Sequence, residues 1–314
     1  MIKYIIPLLF VCGFVSAQSF APPPGFPGST AIHKDSSIIV NWAQNVVVTR
    51  GPINISDMSS ALVSYGVDAD GEGIADGSPV SLGDGGSALI TFSMPIVNGP
   101  GPDFAVFENG FDNHYMEFAF VEVSSDGINF FRFESISEVQ TTTQLGNFSF
   151  SDCSRIYNLA GKYKINYGVP FDLEELAGTP GLNVDQVTHI RLIDVVGSID
   201  PQYGSYDSQG TIINDPFPTI FDSGGFDLDA VGVINQTLSL DESTMVVQVY
   251  PNPARDFVQI STNGPFNYSL LSHNGKVITS GNASNEILLD LSNYAPGIYF
   301  LKFEGQKAVR LIKF

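Results

Sequence analysis

The sequence predicts an all-β protein built as two β-sandwiches in series. Three observations predict it. Short runs rich in β-branched and aromatic residues recur along the chain. They are separated by turn residues, including many of the 31 Gly and 19 Pro among 314 residues. Helical periodicity is scarce, and strands do not alternate with helices as a parallel sheet requires.

The first element is a leader. Lys3 is followed by the apolar run Ile5 to Val15 and the closing Val15-Ser16-Ala17. This pattern predicts a secretory signal peptide over 1–17, cleaved before Gln18. The run is too short to span a membrane, and no later stretch is long and apolar enough to do so. Removal of the leader leaves Cys153 as the one cysteine, so the mature chain forms no internal disulfide. Stability must come from the core or from bound ions.

Residues 18–236 form the expected cargo sandwich. Its clearest strands are Val46–Thr49, Ala88–Phe92, Phe104–Phe107, Phe118–Val123, Phe130–Phe133, His189–Val196 and Asp229–Ile234. Short helices are expected at Phe171–Gly178, with Asp172 placed to cap the start and Gly178 the end, and at Ser36–Ala43. Trp42 lies in an apolar run and is assigned to the core. Residues 237–247 read as a linker.

Residues 248–314 form the second, smaller sandwich. Six or seven strand-like runs fall within it, and Asn274-Gly275 is a strong hairpin signal because both residues tolerate positive φ. Several blocks stand in order: Tyr250-Pro251-Asn252-Pro253-Ala254, Asn274-Gly275-Lys276, Leu289-Asp290-Leu291, Pro296-Gly297-Ile298-Tyr299 and the basic end at Lys313. From about residue 245 onward the chain resembles the C-terminal sorting domain of type IX secretion substrates of Bacteroidota. The resemblance implies an Ig-like β-sandwich and the secretion machinery as partner. It also implies delivery to the outer cell surface or the medium, with Tyr250, Pro251, Asn252, Pro253, Gly275, Gly297, Tyr299 and Lys313 in the signal.

The cargo carries a second, motif-level resemblance. Val121 to Phe130 reads as a strand, a tight Ser125-Asp126-Gly127 turn and an aromatic strand. This hairpin and the closing Gly225–Val231 run resemble discoidin-like and other galactose-binding-like jelly rolls. Val80–Ser87 and Gly101–Phe111 resemble bacterial cell-surface proteins, a similarity that supports location and lends no activity.

Charge narrows the partners. Residues 18–244 hold seven Lys/Arg against 29 Asp/Glu, a formal −22, whereas the tail is close to neutral. Such a cargo repels nucleic acid and anionic membranes and suits divalent cations. Two acidic groups are candidate calcium sites. Asp68, Asp70, Glu72 and Asp76 alternate in a Gly-rich loop; the alternative is a solvated acidic loop. Asp103, Glu108, Asp227 and Asp229 lie in or beside apolar strands, where an unpaired carboxylate is unfavourable. In galactose-binding-like modules an acid on the last strand helps hold structural calcium, and Asp227 or Asp229 matches that position. The alternative is that these side chains face solvent or accept backbone hydrogen bonds. Asp194 also sits within an apolar strand, with no partner evident from sequence.

No Gly-x-Ser-x-Gly, His-Glu-x-x-His or phosphate-binding loop is present, and the expectation is a non-enzyme. Loop aromatics, Tyr115, Tyr203 and Tyr206 foremost, are candidate ligand contacts; the alternative is that they plug the ends of the core. The sequence thus points to an exported binding or adhesion protein with a glycan or surface-protein ligand. An extracellular glycan hydrolase is the alternative, favoured by a pair of buried carboxylates converging in a cleft, with a structural surface component as a third reading.

Overall fold

The computed structural model describes residues 20–147, 149–237, 247–303 and 308–314. The expected leader and most of the expected linker lie outside them. The chain divides into two compact units, Met1–Thr237 and Leu238–Phe314. Among the described residues, helical structure is limited to 3-10 turns of three or four residues, and every strand pair is antiparallel.

In chain order the strands of the first unit are β1 (Ile32–His33), β2 (Asn41–Trp42), β3 (Asn45–Thr49), β4 (Val80–Ser81), β5 (Ser87–Ile96), β6 (Phe104–Glu108), β7 (Ala119–Ser124), β8 (Phe131–Arg132), β9 (Ile136–Ser137), β10 (Ile156–Tyr157), β11 (Tyr167–Phe171), β12 (Val187–Asp194) and β13 (Asp227–Val233). One sheet runs β1-β11-β6-β13-β2, with β4 also on β13; the facing sheet runs β3-β5-β12-β7-β8. Alternation explains the layering. On β12, Ile190 and Leu192 are fully buried, while His189, Arg191 and Ile193 are half-buried on the other face. The inner faces meet in one core that includes Phe104, Phe171, Ile190 and Leu228. β6 and β13 are buried along their whole length. Their outer face holds a smaller cluster of Ala105, Phe107 and Ala230, against which Trp42 and Ile39 pack.

The two expected helices shorten or vanish. Leu173–Leu176 is a single 3-10 turn, with the Asp172 carboxylate accepting from the Glu174 N–H. Ser36–Ile39 forms turns, and Asn41–Trp42 pairs with Val233 and Gly232 as an edge strand. There the apolar run serves the sheet, because Trp42 gains a partner in Phe107 at 5.3 Å between ring centroids. The aromatic strand expected at Phe130–Phe133 shrinks to Phe131–Arg132. The preceding Asp-Gly turn forms as expected. Asp126 accepts from Ile128 N and Asn129 N, both at 2.8 Å, and Gly127 takes φ +73 where a Cβ would collide with the His189 ring.

The second unit contains β14 (Gln248–Tyr250), β15 (Phe257–Ser261), β16 (Phe266–Ser272), β17 (Val277–Ala283), β18 (Glu286–Asp290), β19 (Gly297–Phe303) and β20 (Val309–Lys313). Its sheets run β14-β15-β18 and β17-β16-β19-β20 around a core of Val258, Ile260, Leu270, Leu289, Leu301 and Leu311.

Candidate functional site

The acidic residues singled out in the sequence separate into three places. Asp70 accepts from Val67 N at 2.8 Å, Glu72 from Val46 N at 3.2 Å, and Asp76 from Ser78 N at 2.9 Å, while Asp68 is exposed. Asp229 reaches this loop: its Oδ1 accepts from Asp76 N and Gly77 N at 3.2 and 3.0 Å, and its buried Oδ2 has no hydrogen-bond partner. Asp103 is separate and well satisfied, accepting from Gly99 N, Leu173 N and Asn235 Nδ2 at 2.7–2.9 Å. Glu108 and Asp227 form part of a third group. No three His, Cys, Asp or Glu side chains among the described residues are placed to hold one metal ion together. The eight candidate residues therefore fall in separate places and do not form one set of side-chain donors.

The third group is the most unusual feature of the unit. Glu108, Glu117, Asp194, Asp215 and Asp227 are all buried. Burial is the first cause that pushes the first four well above the usual carboxylate range, and neighbouring carboxylates add to it. Burial also raises Asp227 to about 7, against hydrogen bonding from Ser81 and the charge of Arg50. Most of these groups are anchored by backbone. Asp194 accepts from Gly85 N at 2.9 Å and Phe226 N at 2.7 Å, Glu108 from Gly110 N at 2.7 Å, and Asp215 from Phe118 N at 3.2 Å. Asp227 accepts from the Ser81 hydroxyl.

Glu117 differs. It accepts from the Tyr115 hydroxyl, but its Oε1 is sealed from solvent without a partner. Like charges and desolvation both act on it, from Asp227, Glu108, Asp215 and Asp194. Its backbone is held by close packing. Gly161, at φ +86, lies so near that a Cβ there would collide with the Glu117 carbonyl oxygen.

Glu117 and Asp227 line a cavity of about 220 Å³ with Tyr115, Phe111, Phe221 and Thr219. Phe111 is 74 % exposed and Phe221 46 % exposed; Phe111 packs on Tyr115 with ring centroids 5.5 Å apart. No Lys, Arg or His lines this cavity. The arrangement offers flat apolar surfaces at a mouth and carboxyl groups inside. Of the three aromatics put forward as ligand contacts, Tyr115 belongs to it. Tyr203 and Tyr206 sit in the 200–212 loop and do not line it.

Sequence reasoning missed Glu117 and Asp215. The available signal for Glu117 was its place in Met116-Glu117-Phe118-Ala119, an acid within an apolar run like Asp194. A second cavity of about 560 Å³, lined mainly by apolar groups including Phe20, Tyr157, Tyr163 and Val169, adjoins buried Lys162. Burial lowers that amine to about 8. Cys153 is buried and raised to about 11 by burial, so it is an unreactive thiol at neutral pH.

In the second unit three of the expected signal residues, Asn252, Tyr299 and Lys313, hold backbone groups with their side chains. Asn252 donates from Nδ2 to the Arg310 carbonyl at 2.7 Å and accepts from Ile312 N at 3.0 Å. Lys313 Nζ donates to the Arg255 carbonyl at 2.9 Å, and the Tyr299 hydroxyl donates to the Ala295 carbonyl at 2.7 Å. Tyr250-Pro251 and Asn252-Pro253 are cis peptides, and Gly275 turns the β16–β17 hairpin at φ +82. Residues 248–314 match the family described as the secretion system C-terminal sorting domain. The tail is a sorting domain. It marks the chain as a type IX secretion substrate, exported to the cell surface or secreted. Among the described residues no helix is long and apolar enough to cross a membrane.

A search of curated proteins gives no match. Among solved structures, the chain is similar to a biofilm-associated protein BSP domain at 10 % identity and TM-score 0.22, covering 88 % of this chain and 53 % of that one. It is also similar to a β-glucuronidase from Ruminococcus gnavus in complex with D-glucaro 1,5-lactone, at 12 % identity and TM-score 0.21, covering 86 % and 44 %. The chain thus spans about half the length of these structures. At these scores neither likeness bears on function.

Proposed function

We propose that the first unit is a non-enzymatic binding module, exported by the type IX route, that takes a glycan at the Glu117 cavity. The observation that carries this reading is the pairing of exposed Phe111 and Phe221 with Glu117 and Asp227 in one cavity. Aromatic faces stack on the apolar side of a sugar ring, and carboxyl groups bond its hydroxyls. The exposure of Phe111 also argues against a purely structural role for that loop. The test is binding of the secreted protein to a polysaccharide panel, in millimolar calcium and again with chelator. Phe111→Ala is expected to weaken binding at least tenfold, while Tyr206→Ala leaves it unchanged. Equal binding by wild type and Phe111→Ala would move the ligand site elsewhere.

A second reading has its own support. Glu117 and Asp227 are two buried carboxyl groups in one cavity, and their raised protonation suits an acid partner in glycoside hydrolysis. The same panel assayed for new reducing ends decides it. Turnover abolished by Glu117→Gln and Asp227→Asn, with binding retained, would make the unit a hydrolase.

A further inference from the structure

We infer that the Glu117 cavity selects a sugar residue bearing a free amino group, an organic cation rather than a neutral ring. This rests on the glycan reading of the cavity and narrows its ligand class. Three observations carry it.

The first is an unmet charge requirement. Glu117 is nine-tenths buried, its Oε1 has no partner, and the charges of Asp227, Glu108, Asp215 and Asp194 bear on it. A neutral sugar hydroxyl would satisfy one lone pair and leave the clustered carboxyls as they are. An ammonium group supplies several donors and a positive charge at once.

The second is the lining. No basic side chain enters the cavity, and the faces at its mouth are Phe111 and Phe221. Aromatic faces attract a cation within about 6 Å of the ring centroid. They therefore favour the same ligand that the carboxyls favour. Arg50 acts on Asp227, yet its guanidinium is committed to the carbonyls of Tyr65, Gly66 and Ser81 at 2.6–2.7 Å.

The third is size. About 220 Å³ far exceeds the share of roughly 30 Å³ that one water occupies, so a bare ion would leave most of it empty. It also falls below the roughly 300–1,000 Å³ of drug-sized ligand sites, which suits a single ring. The acidic side chains do not converge on an ion position either.

Binding has a proton signature. A buried carboxylic acid that receives an ammonium ion gives its proton to solvent and becomes a carboxylate. No other bond changes. The groups that face Glu117 and share this titration are Glu108, Asp194, Asp215 and Asp227, with the Tyr115 hydroxyl alongside.

The experiment is calorimetry on the full exported chain at physiological salt. The probes are the trimer of glucosamine, the trimer of N-acetylglucosamine, a glucose trimer and calcium chloride. The expected result is at least tenfold tighter binding of the glucosamine trimer than of the other two, with proton release seen as a buffer-dependent enthalpy. Glu117→Gln is expected to remove the preference. Phe111→Ala, on an exposed position where folding is not at risk, weakens the glucosamine trimer at least fivefold. Equal affinity for all three trimers overturns the cationic ligand and leaves the glycan reading standing. Stoichiometric calcium binding lost in Glu117→Gln, without preference among the sugars, replaces the ammonium by a metal. No binding of any trimer overturns both readings.

Discussion

The two units are both antiparallel sandwiches, yet they treat charge in opposite ways. In the first, Asp103, Glu108, Glu117, Asp194, Asp215, Asp227 and Asp229 are all buried. In the second, Asp256, Glu286 and Asp290 are exposed, and the buried charged group among those described is Lys313, with its amine on a backbone carbonyl. A fold of this kind does not need buried acids, as the second unit demonstrates. Departures from ordinary burial in the first unit therefore mark either backbone anchoring or a ligand site. Hydrogen bonds separate the two. Asp103 and Asp194 anchor backbone N–H groups, and Glu117 lines a cavity with an oxygen to spare.

The comparison can be broken at several levels. The largest effect is expected in the shared feature, the apolar core. Phe171→Ala removes a fully buried ring stacked on Phe104 at 5.3 Å and should destabilise the first unit by about 3–5 kcal/mol. Trp42, the single tryptophan, lies in that unit, so urea unfolding followed by its fluorescence reads the change.

Acidification should separate the units next. Asp84 and Asp227 are raised to about 6 and about 7, chiefly by burial. Their contribution is fully present below the ordinary carboxylate pKa of about 4 and is lost as pH rises through those values. The first unit should thus gain stability from pH 8 to pH 5, by up to about 3 kcal/mol for Asp227, because pH 5 lies about two units below its raised value and each unit is worth about 1.36 kcal/mol. Asp290 in the tail is lowered by Ser292, so its contribution is lost only as pH falls below the usual range. A Trp42-monitored midpoint that stays flat or falls between pH 8 and 5 would contradict the buried-acid description.

A third contrast concerns single acids. Asp194→Ala leaves the N–H groups of Gly85 and Phe226 without their acceptor and should cost about 2–4 kcal/mol. Asp290→Ala, at the exposed end of β18, should not shift the unfolding midpoint measurably. The smallest effect is expected at Asn252→Ala, which removes two exposed hydrogen bonds to the last strand worth about 1 kcal/mol together. Faster proteolysis of the tail in vitro would report it.

Much of this architecture was legible in the sequence because it depends on local chemistry. The Ser124–Asn129 turn, the Asn274-Gly275 hairpin and the Asp172 cap each follow from residues close together in the chain. The sorting tail was legible because its blocks stand in a fixed order. The candidate site was not. Glu117 meets Asp227 across more than a hundred residues, and only the tertiary fold brings the segment before β7 up to β13 of the facing sheet. Asp103 looked like an ion ligand because burial of a carboxylate is visible in an apolar run, whereas its partners at Gly99, Leu173 and Asn235 come from three separate segments. The Ser36–Ala43 segment read as a helix because period alone cannot separate a short apolar helix from an edge strand.

The Asn252 clamp also has a meaning in time. The ribosome makes Asn252 sixty residues before Ile312, the residue whose N–H it accepts. Until that strand has been synthesised, the Tyr-Pro-Asn-Pro segment cannot close. A chain stalled before residue 310 would carry the opening words of its export address and lack the strand that completes them. The folded tail thus reports that both partners of the Asn252 clamp are present in one chain.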